Sequence, residues 1–431
     1  MYIRAGEALA GAEYGDSAIR RTQLNLGLRN PGLGLPSPAI PACILKPRWI
    51  PSLKHFHSPK RPGLQTGTDK IEWKPTSRDE ELSPDQLNPG FFFSGSHGLA
   101  RDQNMDGKLK ALMAKLTAGK APFDGEPFKT FIKQRGKIRL ALVDLSTDVK
   151  LVFPEVAEVD STQMTQGGSL AKIGFLYAAF QNRFNLNLQA RMDPKSMTAD
   201  RIRRLKTIYD VTMDAASSVP KFDFNDDFRK ALDGICSNCL ASKVSRSLGL
   251  RFVNSALWQS GLYDCRWGGI WLGAHYNEWL KTHWECAKDP YSYMGNCTAE
   301  GCHTDPIGGY TIALNALAVA TFFTLLAQGR LVDDDSSQKL QDILSLQPDA
   351  CGSRFKVGLQ DAGRFGTADR IYSKIGVTNT LSHEGALIDR ASIGKKYVAV
   401  VLIVSNAGKP INGMLRQKLI EHLDKLIEAN P

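Results

Sequence analysis

Gly167-Gly168-Ser169-Leu170-Ala171-Lys172 runs directly into the apolar stretch Ile173-Gly174-Phe175-Leu176-Tyr177-Ala178-Ala179-Phe180. A helix opening at Ser169 stacks residues i and i+3 on one face, which sets the lysine amine beside the serine hydroxyl. The free N–H groups and the positive end of the helix dipole then lie under that hydroxyl. The two glycines permit close approach of a ligand or another backbone. An amine desolvated by the next apolar turn is suited to act as a base. These are the parts of an activated serine nucleophile. Ser-x-x-Lys is a frequent spacing, so its weight comes from what surrounds it.

Upstream, Lys108–Thr117 places Leu109, Leu112, Met113 and Leu116 at helical spacing. Lys137–Asp144 reads as a strand, Ser146-Thr147-Asp148 as a turn and Val149–Phe153 as a second strand. Downstream, the spacing predicts a helix over Thr198–Ser217, one over Asn225–Leu248 ending at Gly249, and a buried one over Ala313–Gly329. Asp333-Asp334-Asp335-Ser336 caps a further helix over Ser337–Leu346. The chain then returns to strands at Arg370–Ile375, Glu384–Asp389 and Lys396–Val404, and closes with an amphipathic helix over Asn412–Ala429. This order predicts an α+β fold. One antiparallel sheet is built from both chain ends and flanked by helices, with an all-helical subdomain inserted over about 180–350.

Residues 1–100 differ from the rest. Between Arg20 and Arg61 there are basic residues and no acidic one, and Pro31, Pro36, Pro38, Pro41, Pro47, Pro51, Pro59 and Pro62 are closely spaced. Such proline density opposes helix and central strand, so this part is read as a disordered leader ahead of an ordered domain over 105–431. The 431 residues carry a net charge of +10, with 42% hydrophobic and 23% charged residues, an ordinary globular balance. No basic patch interleaved with aromatics is present, so no nucleic-acid partner is expected. No apolar run reaches the roughly 18 residues of a membrane span. No basic–apolar–small export pattern is visible at the N-terminus.

Two further elements complete a constellation. Cys236-Ser237-Asn238-Cys239 falls within the Asn225–Leu248 helix, and Tyr372-Ser373-Lys374-Ile375-Gly376-Val377 lies on the first late strand. A glycine inside a strand marks close approach of a ligand or backbone, and the lysine before it offers a charge for a carboxylate. With Ser169-Leu170-Ala171-Lys172, these stretches resemble the Ser-x-x-Lys, Ser-Asp-Asn and Lys-Thr-Gly set of the serine β-lactamase and penicillin-binding superfamily. The resemblance runs from about Met105 to the end.

The resemblance implies an acyl-enzyme mechanism with no cofactor. Ser169 would be the nucleophile, Lys172 the general base, Ser237 a proton relay and Lys374 its electrostatic partner. Gly376, Val377 and Cys239 would contact substrate, with the Ser169 and Val377 N–H groups as oxyanion hole. The implied substrate is a small molecule or a peptidoglycan-like peptide, met in the periplasm or after secretion. Cys239 and Ile375 depart from the pattern. So does the absence of Glu-x-x-Leu-Asn, which activates the deacylating water in class A enzymes; Thr311-Ile312-Ala313-Leu314-Asn315 is a chance likeness. Glu278, Glu285 and Glu300 lie in the right interval without that motif.

The interval 261–306 is a long loop rich in Trp and Cys, read as a rim over the site. His283, Cys286, Cys297, Cys302 and His303 have no Cys-x-x-Cys spacing, so disulfides that staple the loop are expected rather than zinc, with free buried cysteines as the alternative. Cys236 and Cys239 are read as helix packing.

Overall fold

The computed structural model describes residues 103–146, 154, 156–213, 219–264, 268–273, 275–276, 310, 312–346, 351–405, 411–412 and 414–430. The expected leader, the strand over 149–153, the loop residues 277–309 and the five residues weighed as a zinc site lie outside these.

In chain order the described elements open with helices α1 (Gln103–Thr117) and α2 (Glu126–Lys133) and strands β1 (Lys137–Asp144), β2 (Val156–Val159) and β3 (Thr165–Gln166). A 3-10 turn, Gly168–Lys172, leads into helix α3 (Ile173–Met192). Then come α4 (Ala199–Leu205), the hairpin strands β4 (Tyr209–Met213) and β5 (Pro220–Phe224), and helices α5 (Asp226–Asp233), α6 (Asn238–Leu248) and α7 (Leu250–Gln259). Short strands β6 (Tyr263–Asp264), β7 (Gly268–Gly269), β8 (Trp271–Leu272) and β9 (Ile312–Leu314) precede α8 (Ala316–Ala327), α9 (Asp334–Ser345) and α10 (Arg354–Asp361). The chain closes with β10 (Arg370–Val377), β11 (Leu381–Arg390), β12 (Lys395–Val404) and α11 (Met414–Glu428).

The main sheet has the order β10-β11-β12-β1-β2, antiparallel at every step. It joins the early strand β1 to the late strand β12, with Lys137 opposite Val404 and Asp144 opposite Tyr397. Side-chain alternation explains why the central strands are apolar throughout. On one face Val398, Val400 and Leu402 join the core around α3 and α8. On the other, Tyr397, Ala399, Val401 and Ile403 join the core under α1 and α11. Helix α8 is buried from Ala316 to Leu326, as befits a helix apolar on all sides. Asn315 caps it by accepting from Ala318 N, so the Leu314-Asn315 likeness is a strand end and a helix cap.

Two expectations change. The helix expected over Thr198–Ser217 stops at Leu205; Thr198 does cap it, but Tyr209–Met213 pairs with Pro220–Phe224 as a hairpin. Tertiary contacts override the helical spacing here. Tyr209 stacks on Phe224 with ring centroids 5.6 Å apart, and Asn187 of α3 exchanges two hydrogen bonds with the Phe222 backbone. The insert expected to be all-helical is thus mainly helical but carries the β4–β5 hairpin and the short strands β6, β7, β8 and β9. The helix expected over Asn225–Leu248 is two helices, each with its own cap: Asn225 accepts from Phe228 N, and Ser237 from Cys239 N. The break at Gly234–Ser237 moves the second motif from mid-helix to the N-terminus of α6.

Candidate active site

The turn carrying Ser169 is held at three consecutive residues by three different parts of the fold. His383 Nε2 lies 3.0 Å from Gln166 O. Ile403 N donates to His383 Nδ1, which leaves the ring proton on Nε2 and makes His383 the donor to Gln166. Gly167 N donates to Ile312 O at 2.9 Å, and Tyr276 Oη donates to Gly168 O at 2.5 Å. Gly168 has φ +51°, a left-handed backbone that favours glycine. Burial pushes the His383 pKa down to about 3, so the ring stays neutral in ordinary buffers. In a 3-10 turn residues i and i+3 eclipse, which puts Ser169 and Lys172 on one side more directly than an α-helix would.

Lys172 is fully buried. Its Nζ donates to Cys236 O at 2.7 Å and to Asn238 Oδ1 at 2.8 Å, and lies 4.8 Å from the centre of the Tyr276 ring. A buried lysine nitrogen needs acceptors of this kind for its N–H groups. The loop before α6 therefore exists, as far as Lys172 is concerned, to present one carbonyl and one amide. Ser237 lies between these two contacts. Its Oγ accepts from Cys239 N at 3.2 Å and from Leu240 N at 3.5 Å, so the expected relay residue is also the cap of α6. Cys236 is disulfide-bonded to Cys351, and Cys239 is disulfide-bonded too. Neither is the packing thiol the sequence suggested; proximity across the fold, not helix periodicity, decides their chemistry.

The third motif lies on β10, an edge strand of the main sheet. Lys374 is fully buried and donates to Ile375 O at 3.1 Å. Burial lowers its pKa to about 8, against the opposing pull of the Glu384 carboxylate. Gly376 faces the Gly168–Lys172 turn. A Cβ there would sit 2.6 Å from Leu170 N and 2.9 Å from Gly167 O, and both are backbone atoms that cannot swing away. A Cβ on Gly168 would lie 3.8 Å from Val377 N. Val377 is 52% exposed, at the open end of this contact. Gly376→Ala is therefore expected to push the turn off the sheet and lower kcat/KM on the order of 100-fold, measured with any substrate the wild type turns over. An unchanged rate would mean that this contact does not position the turn.

Beneath the site is a buried charged pair that sequence reasoning missed. Glu384 accepts from Ser353 Oγ at 2.5 Å, Arg354 N at 3.1 Å and Phe355 N at 3.3 Å. Arg416 Nη1 donates to Glu384 Oε2 at 3.2 Å and to His383 O at 2.8 Å. The signal was present: His383 and Glu384 are ionisable residues directly before the apolar run Ala386-Leu387-Ile388 of a central strand. Asn238 is a second partner not legible in the sequence, since it lies 66 residues from Lys172 and meets it only through the fold.

Residues 297–426 match the β-lactamase enzyme family. No curated protein matches the chain. Among solved structures it is similar to PBP-A at 13% identity, over 76% of this chain and 96% of that one, with TM-score 0.42. It is similar to a β-lactamase from Sphaerobacter thermophilus at 12% identity, over 75% and 99%, with TM-score 0.44. An ancestral class A β-lactamase shares 15% identity over 74% and 98%, with TM-score 0.42. The family match covers β9 through most of α11, and so includes Lys374, Gly376 and Val377 but neither Ser169 nor the loop before α6. Among the described residues no helix is long and apolar enough to cross a membrane.

Proposed function

We propose that the chain is a serine hydrolase that works through an acyl-enzyme, cleaving a β-lactam or a related amide or ester. The supporting observation is the convergence of three sequence-distant elements: the Gly168–Lys172 turn, the Cys236–Asn238 loop that holds Lys172, and the Gly376 end of β10 packed on that turn. Ser169 Oγ attacks the substrate carbonyl as Lys172 takes its proton. Negative charge developing on the carbonyl oxygen is met by the Ser169 and Val377 N–H groups, donors worth on the order of 3 kcal/mol each. Ser237 relays the proton taken up by Lys172 to the leaving group, and the buried Lys374 holds that relay and attracts a substrate carboxylate by its charge. Gly376 leaves room for the backbone contact, and Cys239, as a disulfide, contributes shape rather than a thiol. Residues 105–431 form the hydrolase domain in this reading, with residues 1–100 as its leader.

A long-lived acyl-enzyme, as in a penicillin-binding peptidase or a β-lactam sensor, is the second reading. It is favoured by the absence of Glu-x-x-Leu-Asn and by the structural use of Asn315 as a cap. Intact-mass spectrometry after mixing with benzylpenicillin and nitrocefin separates the two. A transient adduct with colour release supports hydrolysis, a persistent adduct supports the second reading, and no adduct with these or with simple esters removes both.

Lys374 adds a pH prediction. With a pKa of about 8, its amine is charged below that pH and neutral above it. For a substrate bearing a carboxylate, kcat/KM is expected to fall as pH rises through about 8, since that ratio reports groups of the free enzyme. A neutral ester should lack this limb, and Lys374→Arg should move it beyond the measurable range. A carboxylate substrate whose rate is flat from pH 7 to about 9.5 would remove Lys374 from substrate binding.

A further inference from the structure

The Cys236–Cys351 disulfide joins positions 115 residues apart, with Cα atoms 6.3 Å from each other. One end lies in the loop that holds Lys172. Cys236 itself supplies the carbonyl at 2.7 Å from Lys172 Nζ, and Asn238 two residues on supplies the amide. The other end lies two residues before Ser353, which caps α10 by accepting from Lys356 N at 3.0 Å and donates to the buried Glu384. Glu384 is tied to Arg416, Arg416 to His383 O, and His383 Nε2 to Gln166 O just ahead of the nucleophile turn. The crosslink therefore closes a ring of contacts from Gln166 through Lys172, Cys236, Cys351, Ser353, Glu384 and His383 back to Gln166. Without it, the Gly234–Ser237 break between α5 and α6 is joined to the 351–353 segment by no other covalent bond.

We propose that this disulfide is a positioning clamp for Lys172: it fixes the loop whose carbonyl and amide aim the amine at Ser169, so that acylation requires the oxidised protein. The inference rests on the Ser169–Lys172 pairing of the proposed function. Cys236 and Cys351 touch no substrate in this scheme and act through Lys172. Opening the clamp with a dithiol consumes the S–S bond, transfers two electrons and two protons to give two thiols, and leaves the dithiol as a cyclic disulfide.

The test compares the full-length wild type, Cys351→Ala, and wild type treated with dithiothreitol, each confirmed as folded by circular dichroism. Lysine reactivity toward formaldehyde and cyanoborohydride is mapped by mass spectrometry, and acylation by benzylpenicillin is timed well below the unfolding midpoint. Lys374, buried in the sheet, serves as the internal reference. The clamp predicts that Lys172 labelling rises and acylation slows by about tenfold or more, in both the variant and the reduced protein, while Lys374 labelling is unchanged. The reductant should add nothing to Cys351→Ala, which separates this bridge from the one at Cys239. Equal protection of Lys172 in folded wild type and variant overturns the proposal, as does a matching rise at Lys374, which would mean general loosening. If Cys351→Ala does not fold, Cys236→Ser, which opens the same bridge and leaves the one at Cys239, decides by the same two lysines. If wild type forms no acyl adduct, the labelling result still judges the clamp, and the hydrolase reading alone falls.

Discussion

Ser169→Ala should leave no covalent adduct with benzylpenicillin and lower kcat/KM by on the order of 10⁴ or more, with the fold intact. The size follows from the chemistry. Without the hydroxyl no acyl-enzyme forms, and the remaining donors and charges polarise a carbonyl that only water can attack. The fold should tolerate the change because Ser169 is partly exposed, whereas the residues that shape its turn, Leu170, Ala171 and Lys172, are buried. The turn is pinned from outside by His383, Tyr276 and Ile312 through backbone atoms of residues 166–168, none of which involves the Ser169 side chain. Mass spectrometry and a thermal melt check both halves. A variant that still forms an adduct places the nucleophile elsewhere.

Glu384→Gln is expected to have the largest effect on stability, about 3–5 kcal/mol, because it leaves the Arg416 guanidinium buried without its counter-charge. Both partners are essentially inaccessible, at 1% and 0% side-chain exposure for Arg416 and Glu384. Four donors converge on the carboxylate, so the amide also turns its NH₂ toward groups that need an acceptor. If the ordered part unfolds as one unit, the melting point should drop by roughly 5–8 °C. Glu384→Leu combined with Arg416→Met should cost less than Glu384→Gln alone, since a buried pair replaced as a unit leaves no stranded charge. Equal or greater loss in the double variant would show that the bonds to Ser353 and His383, rather than the charge pair, carry the stability.

Much of the site was legible because its parts are local. Ser169 and Lys172 are three residues apart, and the glycine of Lys374-Ile375-Gly376 marked a close approach that the backbone contact with Leu170 N bears out. Some caps were visible too: Thr198 and Asp333 each accept from the N–H three residues on, as Asn225 does at the expected helix start, whereas Asn315 was read inside a helix and caps it instead. The errors arose where distant packing overrides local preference. Val211-Thr212-Met213 fits a helix by spacing, yet Phe222 and Phe224 turn it into a hairpin. Ser237 reads as a mid-helix polar residue until the helix break makes it a cap.

The sequence by itself determined the antiparallel sheet shared by the two chain ends and the buried α8, and it singled out Ser169, Lys172 and Lys374 as candidates, because periodicity, caps and short spacings act between near neighbours. Tertiary structure alone decided that Asn238 and Cys236 hold Lys172, that Cys236 bonds to Cys351, and that His383 and Arg416 brace the turn carrying Ser169. The partners in those contacts are separated by 33 to 217 residues, for example Arg416 from His383 and His383 from Gln166. Nothing in the local chain favours one such partner over another; the choice is made when the sheet and the helical insert bury their common face and each enclosed polar group must find an acceptor or donor.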